Sequence, residues 1–86
     1  MTSETVVGID VSKRSLEIQV HGEEKGWKVS NDVDGFTTLI EQMKVLQPAL
    51  IVFLATGGYE GRAAKALSEA GFAVAVVNPT RVRRFA

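Results

Sequence analysis

Asp10 is the residue whose chemistry most needs an explanation. It lies in Thr5–Ser12 (TVVGIDVS), a β-branched, apolar run, on the same face as Val6 and Gly8. A carboxylate lodged in hydrocarbon is costly unless it is paired, hydrogen-bonded or bound to a cation. Gly8 leaves room beside it for such a partner. A plainer role stands next to that one: Asp10 could close the following hairpin by accepting from the amides of Ser12 or Lys13. The second candidate is Thr56-Gly57-Gly58-Tyr59-Glu60, between an apolar run and a helix. Small residues there admit a close backbone approach, and a helix start offers amides to an anion. The Gly-x4-Gly-Lys-Ser/Thr spacing of a P-loop is absent, so an ordinary chain reversal is the competing reading. Glu60 then simply compensates the helix dipole. Ser12 and Lys13 follow Asp10 closely enough to reach a phosphate, although a hairpin turn accounts for them equally well.

The elements that must position these residues read clearly from periodicity. Thr5–Ser12 has the composition of a central strand. Leu16, Ile18 and Val20 alternate with Glu17, Gln19 and His21, a strand with one wet face, and His21 reads as solvent-exposed. Gly22–Gly26 is a turn, and Trp27–Ser30 a third strand in which Trp27 covers the sheet edge. Such tight links join antiparallel neighbours. Asn31 or Asp32 caps a helix whose Phe36, Leu39, Ile40, Met43 and Leu46 share a face, and Pro48 stops it. Leu50–Ala55 predicts a fully buried strand, Tyr59–Ala70 a second helix closed by Gly71, and Phe72–Asn78 another buried strand. The order βββαβαβ predicts an α/β mixed sheet whose last two strands run parallel.

Composition narrows the function classes. The 86 residues contain no cysteine and one histidine, which excludes a disulfide scaffold, a thiolate zinc site and a histidine metal cluster. The longest apolar runs fall far short of a membrane span, and no signal-type stretch follows the N-terminus, so a cytoplasmic protein is the expectation. Net charge is zero but uneven: residues 1–60 hold five Lys/Arg against nine Asp/Glu, and residues 61–86 hold five against one. Arg81, Arg83 and Arg84 crowd the end, and such asymmetry marks either a nucleic-acid contact or a solvated tail. The chain stops at Ala86 just after a proline turn, which reads as a cut inside a longer protein.

Three segments taken together carry a resemblance: Val7-Gly8-Ile9-Asp10-Val11-Ser12-Lys13, then Ile51–Glu60 (IVFLATGGYE), then Val76-Val77-Asn78-Pro79 with Val82-Arg83-Arg84-Phe85-Ala86. In this order they resemble the N-terminal domain of the DEDD insertion-sequence transposases, whose catalytic domain is similar to the Holliday-junction resolvase RuvC. The resemblance implies a ribonuclease-H-like fold, here incomplete because the chain is truncated, in a bacterial or archaeal cytoplasm. It implies four acids that bind Mg²⁺ or Mn²⁺ for DNA strand cleavage and exchange, a later serine-bearing domain, and in some members a guide RNA. Asp10 matches the first of the four acids, as catalytic residue and metal ligand. The second belongs where Leu54 stands, and the other two lie beyond Ala86.

Leucine has no oxygen to donate, and Asp10 alone cannot bridge two ions ~3.5–4 Å apart. The expectation is therefore a fragment of a transposase that is silent by itself and holds no stable metal, although its parent resembles a recombinase. DNA is the expected partner, through Lys13, Arg14, Arg81, Arg83 and Arg84, with Thr56, Gly57, Gly58 and Tyr59 forming the motif loop. Truncation leaves apolar surface or a strand edge uncovered, so a homo-oligomer is also expected. Two other classes stay open. One is the phosphate-binding half of an actin-like ATPase or sugar kinase, which also opens on Gly-Ile-Asp, though Ser12-Lys13-Arg14 lacks the glycine its hairpin uses. The other is a non-catalytic DNA-binding or assembly module.

Overall fold

The computed structural model describes residues 4–55 and 57–78. In β1 (Val6–Val11), Val7, Ile9 and Val11 are buried while Val6, Gly8 and Asp10 face the other way. β2 (Ser15–Val20) repeats the alternation, with Leu16, Ile18 and Val20 inside and Glu17 and Gln19 outside. β3 (Gly26–Ser30) completes an antiparallel meander in which Ile9 stands opposite Ile18, and Ile18 opposite Trp27. Partners across a ladder share a face, so these buried residues form one continuous apolar surface.

Helix α1 (Val33–Leu46) starts where Asp32 accepts a hydrogen bond from the Gly35 amide at 2.9 Å. Ser30 Oγ donates to the same carboxylate oxygen at 2.6 Å. The Ser30 bond first, then the Gly35 amide and the Arg62 charge, hold the Asp32 carboxyl below the usual aspartate range, against partial desolvation. Phe36, Leu39 and Met43 lie on the sheet, and Trp27 Nε1 donates to Gln42 Oε1 at 2.8 Å, tying α1 to β3. The helix ends on Gln47, in the left-handed region at φ 53°, one residue before Pro48.

β4 (Leu50–Leu54) then enters beside β1, parallel to it, and not beside β3. Helix α2 (Gly61–Glu69) closes in a Schellman arrangement, with Gly71 N–H on Ser68 O and Phe72 N–H on Leu67 O. β5 (Val74–Val77) pairs parallel with β4, giving the order β3-β2-β1-β4-β5. The expected order and strand directions are observed. The second helix begins at Gly61, two residues later than predicted. The last strand is shorter than Phe72–Asn78 because the helix cap extends through Phe72.

Both helices cover the same face. Phe36, Leu39 and Met43 from α1 and Ala63 and Leu67 from α2 close over Val7, Ile9, Ile18, Ile51 and Phe53. Each large side chain fully buried there contributes about 1.5–3 kcal/mol. The prediction that β4 and β5 are buried on both faces is overturned: Leu54 is 38% exposed and Val76 is 50% exposed. Leu54 lies on the face that carries no helix among the described residues, and Val76 lies on the margin strand, level with Phe53.

The entry into α1 is tight. A Cβ built on Gly35 would lie 1.7 Å from the Ser30 carbonyl oxygen, a backbone atom that cannot turn aside. Gly35→Ala should therefore lower unfolding stability by about 3 kcal/mol, at the upper end of what overpacking costs. A urea midpoint equal to that of the unsubstituted chain would contradict this close approach.

Candidate functional site at the tips of β1 and β4

The site is a consequence of register. Asp10 stands opposite Glu17 on β2 and opposite Leu54 on the parallel β4, so these three side chains share the uncovered face of the sheet. They border an open cleft of about 700 Å³ that also takes in Gly8, Gln19 and Lys28. Gly8 is not a packing necessity, because an added Cβ would meet only the Gln19 carbonyl oxygen at 3.8 Å. Its absent side chain keeps the floor of the cleft low beside Asp10.

Asp10 is exposed, which corrects the expectation of a carboxylate lodged in hydrocarbon. The reason is that α1 and α2 both pack on the Val7–Ile9 side, so the Val6-Gly8-Asp10 side meets solvent. The hairpin-closing role is not observed either. The Ser12 amide donates to Ser15 O at 3.0 Å, and Ser12 Oγ is within 2.9 Å of Ser15 Oγ. Among the described residues no donor reaches the Asp10 carboxylate. Glu17 is engaged instead by Lys28, Nζ to Oε2 3.5 Å, an exposed pair that offsets the like charges of Asp10 and Glu17 across the ladder.

These residues do not fit a divalent metal centre. Mg²⁺ asks for octahedral oxygen ligation. Among the described residues no group of three or more His, Cys, Asp or Glu side chains gathers to hold an ion. The neighbour across the parallel ladder is a leucine, and Glu17 is bound up with Lys28.

The motif loop lies just past the same end of β4. Gly58 takes φ +81°, which L side chains rarely adopt, and the chain then turns through Tyr59 into α2. Glu60 Oε1 is buried and has no hydrogen-bond partner among the described residues. Lys13 and Arg14 are exposed in the β1–β2 turn. Thr56, Arg81, Arg83 and Arg84 lie outside the described residues. Three participants were not singled out from sequence. Glu17 stands opposite Asp10, and Lys28 stands beyond Glu17 on β3. Asn31 Nδ2 donates to Ser12 O at 2.9 Å and to Tyr59 O at 3.2 Å, tying the hairpin turn to the motif loop. The wet face of β2 carried a signal for Glu17, and the meander carried it on to Lys28, since cross-strand partners share a side. Nothing local marked Asn31 as more than a helix-entry residue.

A mixed sheet of this order, with an acid at the end of its central strand, is the ribonuclease-H-like fold of the RuvC type. Residues 7–86 match the family of DEDD transposases of the IS110 type, described as "Transposase", and the chain belongs to that family. Among solved structures it is similar to T. thermophilus RuvC in complex with a Holliday junction substrate. The TM-score is 0.69 at 18% identity, over 95% of this chain and 69% of that one. It is also similar to a Bacteroides thetaiotaomicron protein with an actin-like ATPase fold and unknown function, with a TM-score of 0.64 at 14% identity. That match covers 92% of this chain and 34% of the other. No curated protein matches the chain by sequence.

The lack of fit at Asp10 has a direct readout. Titrated with Mn²⁺ and followed by electron paramagnetic resonance, the chain should leave the free-ion signal unchanged through low millimolar protein. Saturable binding that disappears in Asp10→Asn would contradict the account.

Proposed function

We propose that these residues are the N-terminal part of a larger RuvC-like transposase domain that acts in DNA transposition and recombination. As they stand, they cleave no DNA. The observation that carries this reading is the facing pair Asp10 and Leu54 at the ends of β1 and β4, in a chain of the transposase family. Asp10 supplies the first acid of a strand-cleaving centre, while Leu54 removes the oxygen that belongs beside it. Mg²⁺ or Mn²⁺, the ion that the family implies, then depends on acids elsewhere in the intact parent.

DNA is the partner in this reading, and a guide RNA is a further one. Lys13, Arg14, Arg81, Arg83 and Arg84 are the proposed phosphate contacts. Such contacts position nucleic acid without reading its sequence. A cytoplasmic location follows from the activity; among the described residues no helix is long and apolar enough to cross a membrane. The actin-like ATPase reading has likeness of fold alone behind it. An assembly role is favoured by the lack of fit for metal, and it belongs to the same transposase parent.

The uncovered face also supports self-association. Its β4–β5 half carries Leu50, Val52, Leu54, Ala75 and Val77, apolar side chains beside the polar Asp10 half. A dimer or higher oligomer should form at high concentration, as read by sedimentation velocity. A single monomer boundary at every concentration would remove that part of the proposal. For the catalytic part, incubation with Mg²⁺ or Mn²⁺ and branched or linear DNA should yield no cut strands. Robust cutting that is lost in Asp10→Ala would overturn the silent reading.

A further inference from the structure

A second cleft, of about 260 Å³, opens around the motif loop and is lined by Lys13, Asn31, Gly58, Tyr59, Gly61 and Arg62. Lys13 comes from the β1–β2 turn and Arg62 from the start of α2, segments remote in sequence. Asn31 is the reason they meet. Its side-chain amide bonds the carbonyls of Ser12 and Tyr59, and its backbone amide donates to Arg14 O at 3.0 Å. One residue thus laces the hairpin turn to the motif loop and brings two cations to one opening.

Neither cation is committed to an ion pair among the described residues; the salt bridge found there joins Lys28 and Glu17. Arg62 is steadied from behind, its guanidinium carbon 5.8 Å from the centroid of the Phe36 ring. Asp32, held by Ser30 and the Gly35 amide, stays charged and feels the Arg62 guanidinium, but makes no salt bridge with it and does not line the opening. No acidic side chain lines the opening. Two exposed positive charges therefore face a small cleft, beside the backbone of Gly58 and Gly61.

We propose that this cleft binds two backbone phosphates of a DNA strand, with Lys13 and Arg62 as the charged contacts, one to each, and Asn31 as the residue that positions them. The proposal rests on the transposase reading and assigns Arg62 and Asn31 parts in it. Phosphate contacts release counterions, so log K falls with log salt by about 0.9 per phosphate neutralised.

The test is fluorescence anisotropy of a labelled duplex with the 86-residue chain across a salt series. Lys13→Gln should reduce the slope by about 0.9, and Lys13→Gln with Arg62→Gln by about 1.8, equally on unrelated duplexes. Lys13 is exposed and without a described partner, so its single variant remains decisive even if losing Arg62 from the Phe36 ring loosens the fold. If the unsubstituted chain binds duplex and both variants keep its slope and affinity, the inference fails while DNA binding elsewhere survives. If the chain binds no duplex at any salt, the inference and the DNA-contact reading fall together. ATP binding as tight as duplex, and lost in the double variant, would make the cleft a nucleotide site and overturn the proposal.

Discussion

The parallel pairing of β1 with β4 is the constraint on which the rest depends. It brings together two strands separated by the whole β2–β3–α1 excursion, and it aligns Asp10 with Leu54. Because side chains alternate with a period of two, this register decides the faces of both strands at once. Ile9 and Phe53 are sent into the core, and Asp10 and Leu54 to the open side. With β1 held by β2, a slip of one residue in β4 would expose Phe53, bury Leu54 and take Leu54 off Asp10's side of the sheet. The apolar packing that stabilises the domain therefore also holds the acid out in solvent.

Much of the architecture was legible. The alternation in β2, the Asp32 cap, the Pro48 stop and the Gly71 turn each act locally, and each lies where its chemistry put it. Which strand β4 joins was not legible, because a crossover through a helix leaves several places in a sheet open. The burial of Asp10 was misjudged for a related reason. Val6 and Gly8 made its face look apolar, yet β2 already showed which side was wet. Leu16, Ile18 and Val20 must share the side of Val11, Ile9 and Val7, which leaves Asp10 with Glu17 and Gln19. Combining pattern with hairpin register would have placed the acid in water.

The uncovered face is divided. Its β2–β3 half is polar, with Glu17, Gln19 and Lys28, while its β4–β5 half is apolar, with Val52, Leu54 and Val77. Asp10 and Leu54 stand on the boundary. A leucine costs little there, being part of a hydrocarbon strip, and a glutamate would extend the polar half by one position. The same two strand ends feed the hairpin turn and the motif loop that Asn31 joins, so both clefts depend on a single register.

The most direct measurement is Mn²⁺ affinity in Leu54→Glu, set against the unsubstituted chain. Leu54 is 38% exposed, so the new carboxylate needs no burial and the fold should persist, as circular dichroism would report. Binding should become at least about tenfold tighter, a gain of ~1.4 kcal/mol, which Asp10→Asn abolishes in the same background. A folded Leu54→Glu chain that binds Mn²⁺ no better than its parent would contradict the claim that these two strand ends face one another as halves of one site.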